Sequence, residues 1–249
     1  MKIWLYTFCW NEAPLVPYFL RHYTPDWVDR IIVYDNESTD ESRKLLEAIG
    51  RVEIRDMRPD PGGLNRTMAR LREEAVQESA GKTPWVFVPD FDEFLYHHDI
   101  KHFLNECYNR DQWYVVRPYG WNMVHSYFPR TKGKITDEVR RGYPHYWYSK
   151  PILIRPEKIK VMNFSLGAHN AQPHANVTGE TVFIRNVGSA KILHYRCLGW
   201  PYYWKTVKER SVRHAKYDAD WKGSHYDDPY EKQRHDFMIY LRDAVDLTT

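Results

Sequence analysis

Two carboxylates, Asp90 and Asp92, flank a single residue, Phe91, directly after the apolar run Trp85-Val86-Phe87-Val88. On a turn, a D-x-D pair presents oxygen ligands to one cation, and that donor set suits Mg²⁺ or Mn²⁺. A solvated acidic turn would have the same residues, so the weight lies in position. The pair follows the fourth apolar run of an alternating series, where a buried strand would hold it at the rim of a sheet.

Two more polar clusters end apolar runs upstream. Thr7-Phe8-Cys9-Trp10-Asn11-Glu12 closes the first, and Tyr34-Asp35-Asn36-Glu37-Ser38-Thr39-Asp40 closes the second. In sheets covered on both faces, ligands gather beyond the C-terminal strand ends. Thr7, Asn11, Glu12, Asp35 and Asn36 are therefore candidate nucleotide contacts: Asp35 or Asn36 to a base, Glu12 to the base or ribose. Ser38 and Thr39 read better as helix caps. His194 follows a further apolar run, Lys191–Leu193, and is either a ligand at a sheet edge or a buried, hydrogen-bonded histidine.

The elements that must position these residues alternate through the first hundred positions. Strands are expected at 2–8, 29–34, 51–56 and 85–88, and helices at 14–23, 41–49 (ended by Gly50) and 64–78. Continuous apolar runs mark strands buried on both faces, and their alternation with helices indicates a parallel-type α/β sheet. Beyond residue 100 a helix is expected at 100–108 and strands at 113–117, 150–154 and 191–194. Residues 119–148, rich in Tyr, Trp, His, Arg and Gly without a period, read as a long functional loop. Helices at 201–217 and 229–245, separated by a turn at 223–226, form a C-terminal extension.

Composition narrows the class. The chain has 249 residues, 43% hydrophobic, which is enough for one substantial core. Its net charge of +3 is dispersed, which suits an anionic substrate and excludes the dense basic stripe of a nucleic-acid binder. Cys9, Cys107 and Cys197 form no C-x-x-C pair, so neither a zinc ribbon nor a disulfide framework is expected, and a reducing compartment is. The short apolar start is no signal peptide, and no run approaches the roughly 20 apolar residues of a membrane span. A cytoplasmic protein is the expectation. The aromatic, basic stretch at 200–217 either packs on the main body or rests on a membrane surface.

In order and spacing, Asn11-Glu12, then Ile31-Ile32-Val33-Tyr34-Asp35-Asn36-Glu37-Ser38-Thr39-Asp40, then Val88-Pro89-Asp90-Phe91-Asp92-Glu93-Phe94 resemble the family 2 glycosyltransferases and the group related to family 92. The likeness continues through Lys150–Pro156, Gly167-Ala168-His169 and Ile192-Leu193-His194-Tyr195. The usual family 2 form of the second segment is Asp-Asp-Gly-Ser-Thr-Asp; here Asn36 and Glu37 stand in for its second Asp and Gly.

The resemblance implies a GT-A (Rossmann-like) mixed sheet flanked by helices. Residues 1–200 would be the catalytic domain, with a nucleotide-binding half at 1–98 and an acceptor half at 99–200, and 201–249 the helical extension. It implies a metal-dependent transferase that moves sugar from a nucleotide-diphosphate donor, a UDP-sugar favoured, to a glycan or lipid-linked acceptor with inversion. Asp90, Asp92 and His194 would hold Mn²⁺ (or Mg²⁺), and the histidine favours Mn²⁺. Lys150 and Arg196 would assist at the diphosphate. The family's Glu-Asp base pair is absent, which leaves Asp137, Glu138 and His169 as candidate bases.

Two other enzymes that use such carboxylates fit less well. A sugar nucleotidyltransferase needs a Gly-rich phosphate loop where this chain has Trp10-Asn11-Glu12-Ala13. A haloacid-dehalogenase-type phosphatase places D-x-D after its first strand, not its fourth. A non-catalytic nucleotide- or carbohydrate-binding protein would keep the aromatics without needing Asp90, Asp92 and His194 to converge.

Overall fold

The apolar run at the start of the chain becomes β1 (Ile3–Cys9), buried at every position but Trp4. It can be so apolar because strands flank it on both edges and helices cover its faces. In a computed structural model, which describes residues 1–217 and 225–247, β1 lies parallel between β2 (Val28–Asp35) and β4 (Val86–Phe87). β3 (Val52–Asp56) extends this parallel set beyond β2. The crossovers are α1 (Val16–His22), α2 (Ser42–Glu47) and α3 (Leu64–Ser79). The helix expected at 41–49 is shorter, and Ser38 and Thr39 do not cap it: they bond Asn11, while Asp40 Oδ1 accepts from the Ser42 amide at 2.9 Å and Gly50, at φ 67°, follows the helix end.

The second half departs from the expected parallel sheet. β5 (Glu93–Tyr96) and α4 (Ile100–Asn109) precede β6 (Val115–His125), β7 (Arg141–Pro144), β8 (Leu153–Ile154) and a separate small pair, β9 (Ile159–Val161) with β10 (His174–Ala175). β11 (Ile184–Leu198), α5 (Trp200–Tyr217), α6 (Tyr230–Asp243) and β12 (Val245–Asp246) follow. Among the described residues the main sheet has ten strands, in the order β12-β7-β6-β8-β4-β1-β2-β3, with β11 joining β6 to β5. β8 runs antiparallel to both β4 and β6, and β7 antiparallel to β6. Only short 3₁₀ turns join β6, β7 and β8 in sequence, so without a crossover helix β7 and β8 each return antiparallel to β6. Among the described residues, the result is a mixed α/β sheet of ten strands with six helices around it.

Residues 119–148 are not one long loop. β6 continues to His125, and β7 pairs with its Trp121–Met123 segment. The period was hidden because Gly120–Val124 is buried at every position, so polar and apolar residues do not alternate. Likewise the strand expected at 191–194 spans 184–198, and that at 150–154 shrinks to Leu153–Ile154.

Both C-terminal helices pack on the sheet. Val124 of β6 and Cys197 of β11 share a buried cluster with Tyr203 and Val207 of α5 and Phe237 of α6. Gly199 makes the β11–α5 junction, because its φ is +80° and a Cβ there would lie 2.7 Å from Tyr127 Cα. Of the turn expected at 223–226, residues 223 and 224 lie outside the described residues. Among the described residues, no helix is long and apolar enough to cross a membrane.

Candidate functional site

Phe91 anchors the D-x-D segment. It is buried, with its ring stacked on Phe19 at 4.4 Å, so the residue between the carboxylates is pinned into the core. β5 then pairs with β11 in the register His194↔Glu93, and Tyr195 N donates to Asp92 O at 2.8 Å. Sheet pairing thus brings His194, 102 positions along the chain, to Asp92, with His194 Nε2 3.4 Å from Asp92 Oδ2. Ring stacking on Tyr148, at 4.0 Å and 17°, and a 3.4 Å contact of Nδ1 with Asn122 Oδ1 orient the imidazole.

The two carboxylates have different partners. Asp90 is paired with Arg72, a fully buried guanidinium of α3, and with Lys150 Nζ at 2.6 Å. Lys150 also lies 2.6 Å from Glu93, whose side chain accepts from the Asp90 amide. Burial alone would raise the Asp90 carboxyl, but Lys150 and Arg72 together outweigh it and hold it well below the usual range. Burial pulls Lys150 down, and Asp90 with Glu93 more than restores it. Asp92 Oδ2 instead accepts from Arg210 Nη2 of α5 at 2.9 Å, and the same Nη2 lies 3.1 Å from Glu12. Arg210 and His194 keep Asp92 ionised against its burial. Glu12 is pushed up to about 7, since its burial exceeds what Arg210 offsets.

These groups line one cleft of about 770 Å³ beyond the ends of β1 and β4, with Glu12, Asp90, Asp92, Glu93, Lys150, His169, His194 and Arg196 on its walls. A smaller cavity of about 280 Å³, lined by Val124, His125 and Arg141 among others, holds none of them. Among the described residues no three His, Cys, Asp or Glu side chains form a ready-made metal cluster. The expected trio divides: Asp92 and His194 meet, while Asp90 is held by cations. An Asp92–His194 separation of 3.4 Å is near the about 3 Å between neighbouring ligands of an octahedral ion with bonds of about 2.1 Å. That pair therefore fits a divalent ion, with Arg210 as the cation it must compete with.

Other expected contacts lie off the cleft. Thr7 is buried within β1, and Asp35, also buried, accepts from the Ser38 amide at 3.3 Å. Asn11, at φ 53°, ties the two strand-end loops together, its Oδ1 accepting from Thr39 N at 2.8 Å and Asp40 N at 3.3 Å. Asn36 Nδ2 donates to Met57 O, while its Oδ1 accepts from Arg213, which does line the cleft.

Of the three candidate bases, two are loop fixtures. Glu138 Oε2 accepts from Arg130 N and Thr131 N at 2.9 and 2.7 Å, and Asp137 Oδ2 accepts from Lys134 N at 2.8 Å. His169 alone of the three lines the cleft. Its Nδ1 lies 2.7 Å from Trp147 O, and a carbonyl only accepts, so Nδ1 carries the proton and Nε2 keeps its lone pair. Burial, helped by Lys150 nearby, lowers its pKa to about 4 and keeps it neutral.

Sequence reasoning missed Arg72, Glu93, Arg210 and Arg213. Arg72 had a readable signal: it continues the α3 stripe Leu64, Met68, Ala75, Ser79 at helical spacing, and an arginine on an apolar face needs a buried partner. Arg210 and Arg213 had none, because their role depends on how α5 folds back.

No protein-family model matches the chain, and no curated protein matches it. Among solved structures it is similar to glucosyl-3-phosphoglycerate synthase from Mycobacterium tuberculosis. One such structure holds Mn²⁺, UDP and glucosyl-3-phosphoglycerate; the likeness is 18% identity and a TM-score of 0.36, covering 48% of this chain and 44% of that one. Structures of the same enzyme with Mn²⁺, UDP-glucose and phosphoglyceric acid, and with Mg²⁺ and UDP, match at the same identity and TM-score, covering 48% of this chain and 43% of theirs. The chain spans less than half the length of these proteins.

Proposed function

We propose that the protein is a GT-A-type glycosyltransferase that takes its sugar from a nucleotide-diphosphate donor, a UDP-sugar first among them, with a divalent metal at Asp92 and His194. The observation that carries this reading is the convergence of Asp92, on the turn after β4, with His194, delivered by β11, in a cleft that also gathers Lys150 and Arg196. In this reading the nucleotide lies in the cleft beyond the ends of β1 and β4, as ligands do in open α/β sheets, with Glu12 on the wall beside it. Asp92 and His194 would hold Mn²⁺ or Mg²⁺, and the ion would supply Lewis-acid charge opposite the departing diphosphate. Asp90, locked between Arg72 and Lys150, stays ionised beside that site, and Lys150 adds a second positive charge.

On the acceptor side, His169 Nε2 takes the proton of the attacking hydroxyl as a neutral base. Trp147, exposed at the cleft beside His169 with rings 5.0 Å apart and near perpendicular, offers a flat apolar face to an acceptor sugar. The acceptor in this reading is a glycan, attacking with inversion.

The test is a panel of nucleotide sugars incubated with the full chain and Mn²⁺, with release of nucleoside diphosphate followed by chromatography. At least one donor should be hydrolysed slowly, and Asp92→Asn should abolish the release. No turnover of any donor, together with no metal-dependent rise in melting temperature, would overturn the reading.

A further inference from the structure

Helix α5 contributes two arginines to the cleft wall that the donor reading above leaves without a task. Arg210 Nη2 is shared between Asp92 Oδ2 at 2.9 Å and Glu12 Oε1 at 3.1 Å. Arg213, one turn on, hydrogen-bonds Asn36 Oδ1 and lies over the Trp10 ring at 4.4 Å. Its Nε is buried and has no hydrogen-bond partner among the described residues. A guanidinium can donate five hydrogen bonds, and this half-buried one, with its buried Nε–H unpaired and a neutral amide and an indole face beside it, is undersatisfied. Arg196 of β11 borders the same wall, so positive charge accumulates there.

We infer that Arg210 and Arg213 form a phosphate-binding subsite in the cleft, held in reserve by the protein's own groups: Asp92 and Glu12 for Arg210, Asn36 and Trp10 for Arg213. Guanidinium forks match phosphate oxygens bidentately, so a phosphorylated ligand gives Arg213 the charged partner it lacks. It also gives Arg210 an alternative to Asp92, leaving that carboxylate to a metal ion. Helix α5 is then a wall of the binding site rather than an appendage. The phosphate can come from the donor's diphosphate or from a phosphorylated acceptor; the subsite chemistry is the same. The inference rests on the proposed function only for the donor as source.

The experiment uses the full chain and calorimetric titration with UDP, uridine and inorganic pyrophosphate. Arg213→Gln should weaken UDP and pyrophosphate at least tenfold and leave uridine unchanged, with Arg213→Lys recovering part of the loss. An unchanged melting temperature shows that the variant is folded, and Arg210→Lys serves as a second variant if it is not. Inorganic phosphate titrated into UDP-saturated protein separates the sources. Binding blocked by UDP assigns the subsite to the donor; binding that persists and is lost in Arg213→Gln assigns it to the acceptor. Unaltered UDP and pyrophosphate affinity in both arginine variants would overturn the inference and leave the donor reading intact. If wild type binds pyrophosphate but no nucleotide, the donor reading fails and the subsite stands. If it binds neither, both fail.

Discussion

Asp90 and Asp92 are separated by one residue yet sit in different electrostatic surroundings. Asp90 belongs to a buried network with Arg72, Lys150 and Glu93, and Asp92 to a second one with Arg210, Glu12 and His194. Removing one member of a buried ion network leaves an uncompensated charge, typically at a cost of about 3–5 kcal/mol. Lys150→Met strands Glu93, so urea unfolding should show a loss of that size, whereas the same change at exposed Lys44 should cost under about 0.5 kcal/mol. His169 carries a different prediction. If its Nε2 accepts the hydroxyl proton, His169→Gln should lower kcat on an active donor at least 100-fold while UDP affinity stays within about twofold. At this scale, the residues that meet in the cleft carry chain-local marks: Asp92 stands in a D-x-D pair after one apolar run, and His194 after another. Asp137, Glu138 and Asn11 tie loop amides away from the cleft, and in one dimension such a residue looks like one that faces a ligand. Glu93 was passed over because an acidic residue beside two aspartates reads as more of the same turn, not as the buried partner of Lys150.

Strands and the turns between them set the site's tolerances. Gly120 of β6 passes so close to the Tyr146–Tyr148 turn that a Cβ there would fall 2.1 Å from the Tyr148 carbonyl carbon and 2.3 Å from Ser149 N. No side-chain rotation relieves a clash with backbone. Gly120→Ala should therefore destabilise the protein by about 1–3 kcal/mol. It should also displace Tyr148 from the face of His194, which a Mn²⁺ titration would register as weaker binding than wild type. The parallel β1–β4 half was readable because β1, β2 and β4 lie in continuous apolar runs closed by turn residues and β3 alternates as a half-buried edge strand does. The antiparallel half was not. β5 hides inside an acidic turn, β6 loses its period where it is buried on both faces, and β7 and β12 are too short to pattern. Sequence signals report how a segment is buried, and these segments are buried by long-range pairing.

Across the whole molecule, burial of neutral histidines couples folding to pH. His22 is packed among Tyr23, Trp27 and Phe94, and its Nε2 lies 2.7 Å from Leu95 O. Burial lowers its pKa to about 4, and that of His169 also to about 4. The unfolded chain, titrating near 6.5, therefore binds more protons than the native state between these values. Stability from each group is complete above about pH 6.5 and falls as pH drops toward 4, by up to about 3 kcal/mol for the fully buried His22 and by less for His169, which solvent partly screens. Melting temperatures recorded from pH 8 to 4 should decline in that window, and His22→Gln, whose amide can still donate to Leu95 O, should flatten the decline. A wild-type profile that is level between pH 7 and 4.5 would contradict the burial argument.

At the same scale, the C-terminal helices share a core with β6 and β11 and contribute Arg210 and Arg213 to the cleft, a closure that no local sequence pattern announces. The most direct test of the donor and metal site is calorimetric titration of UDP into the wild-type chain with Mn²⁺ and with chelator. Binding should be at least tenfold tighter with Mn²⁺, and Asp92→Asn should bind UDP equally with and without the metal. Wild-type affinity that is the same in Mn²⁺ and in chelator, or no UDP binding in either, would contradict it.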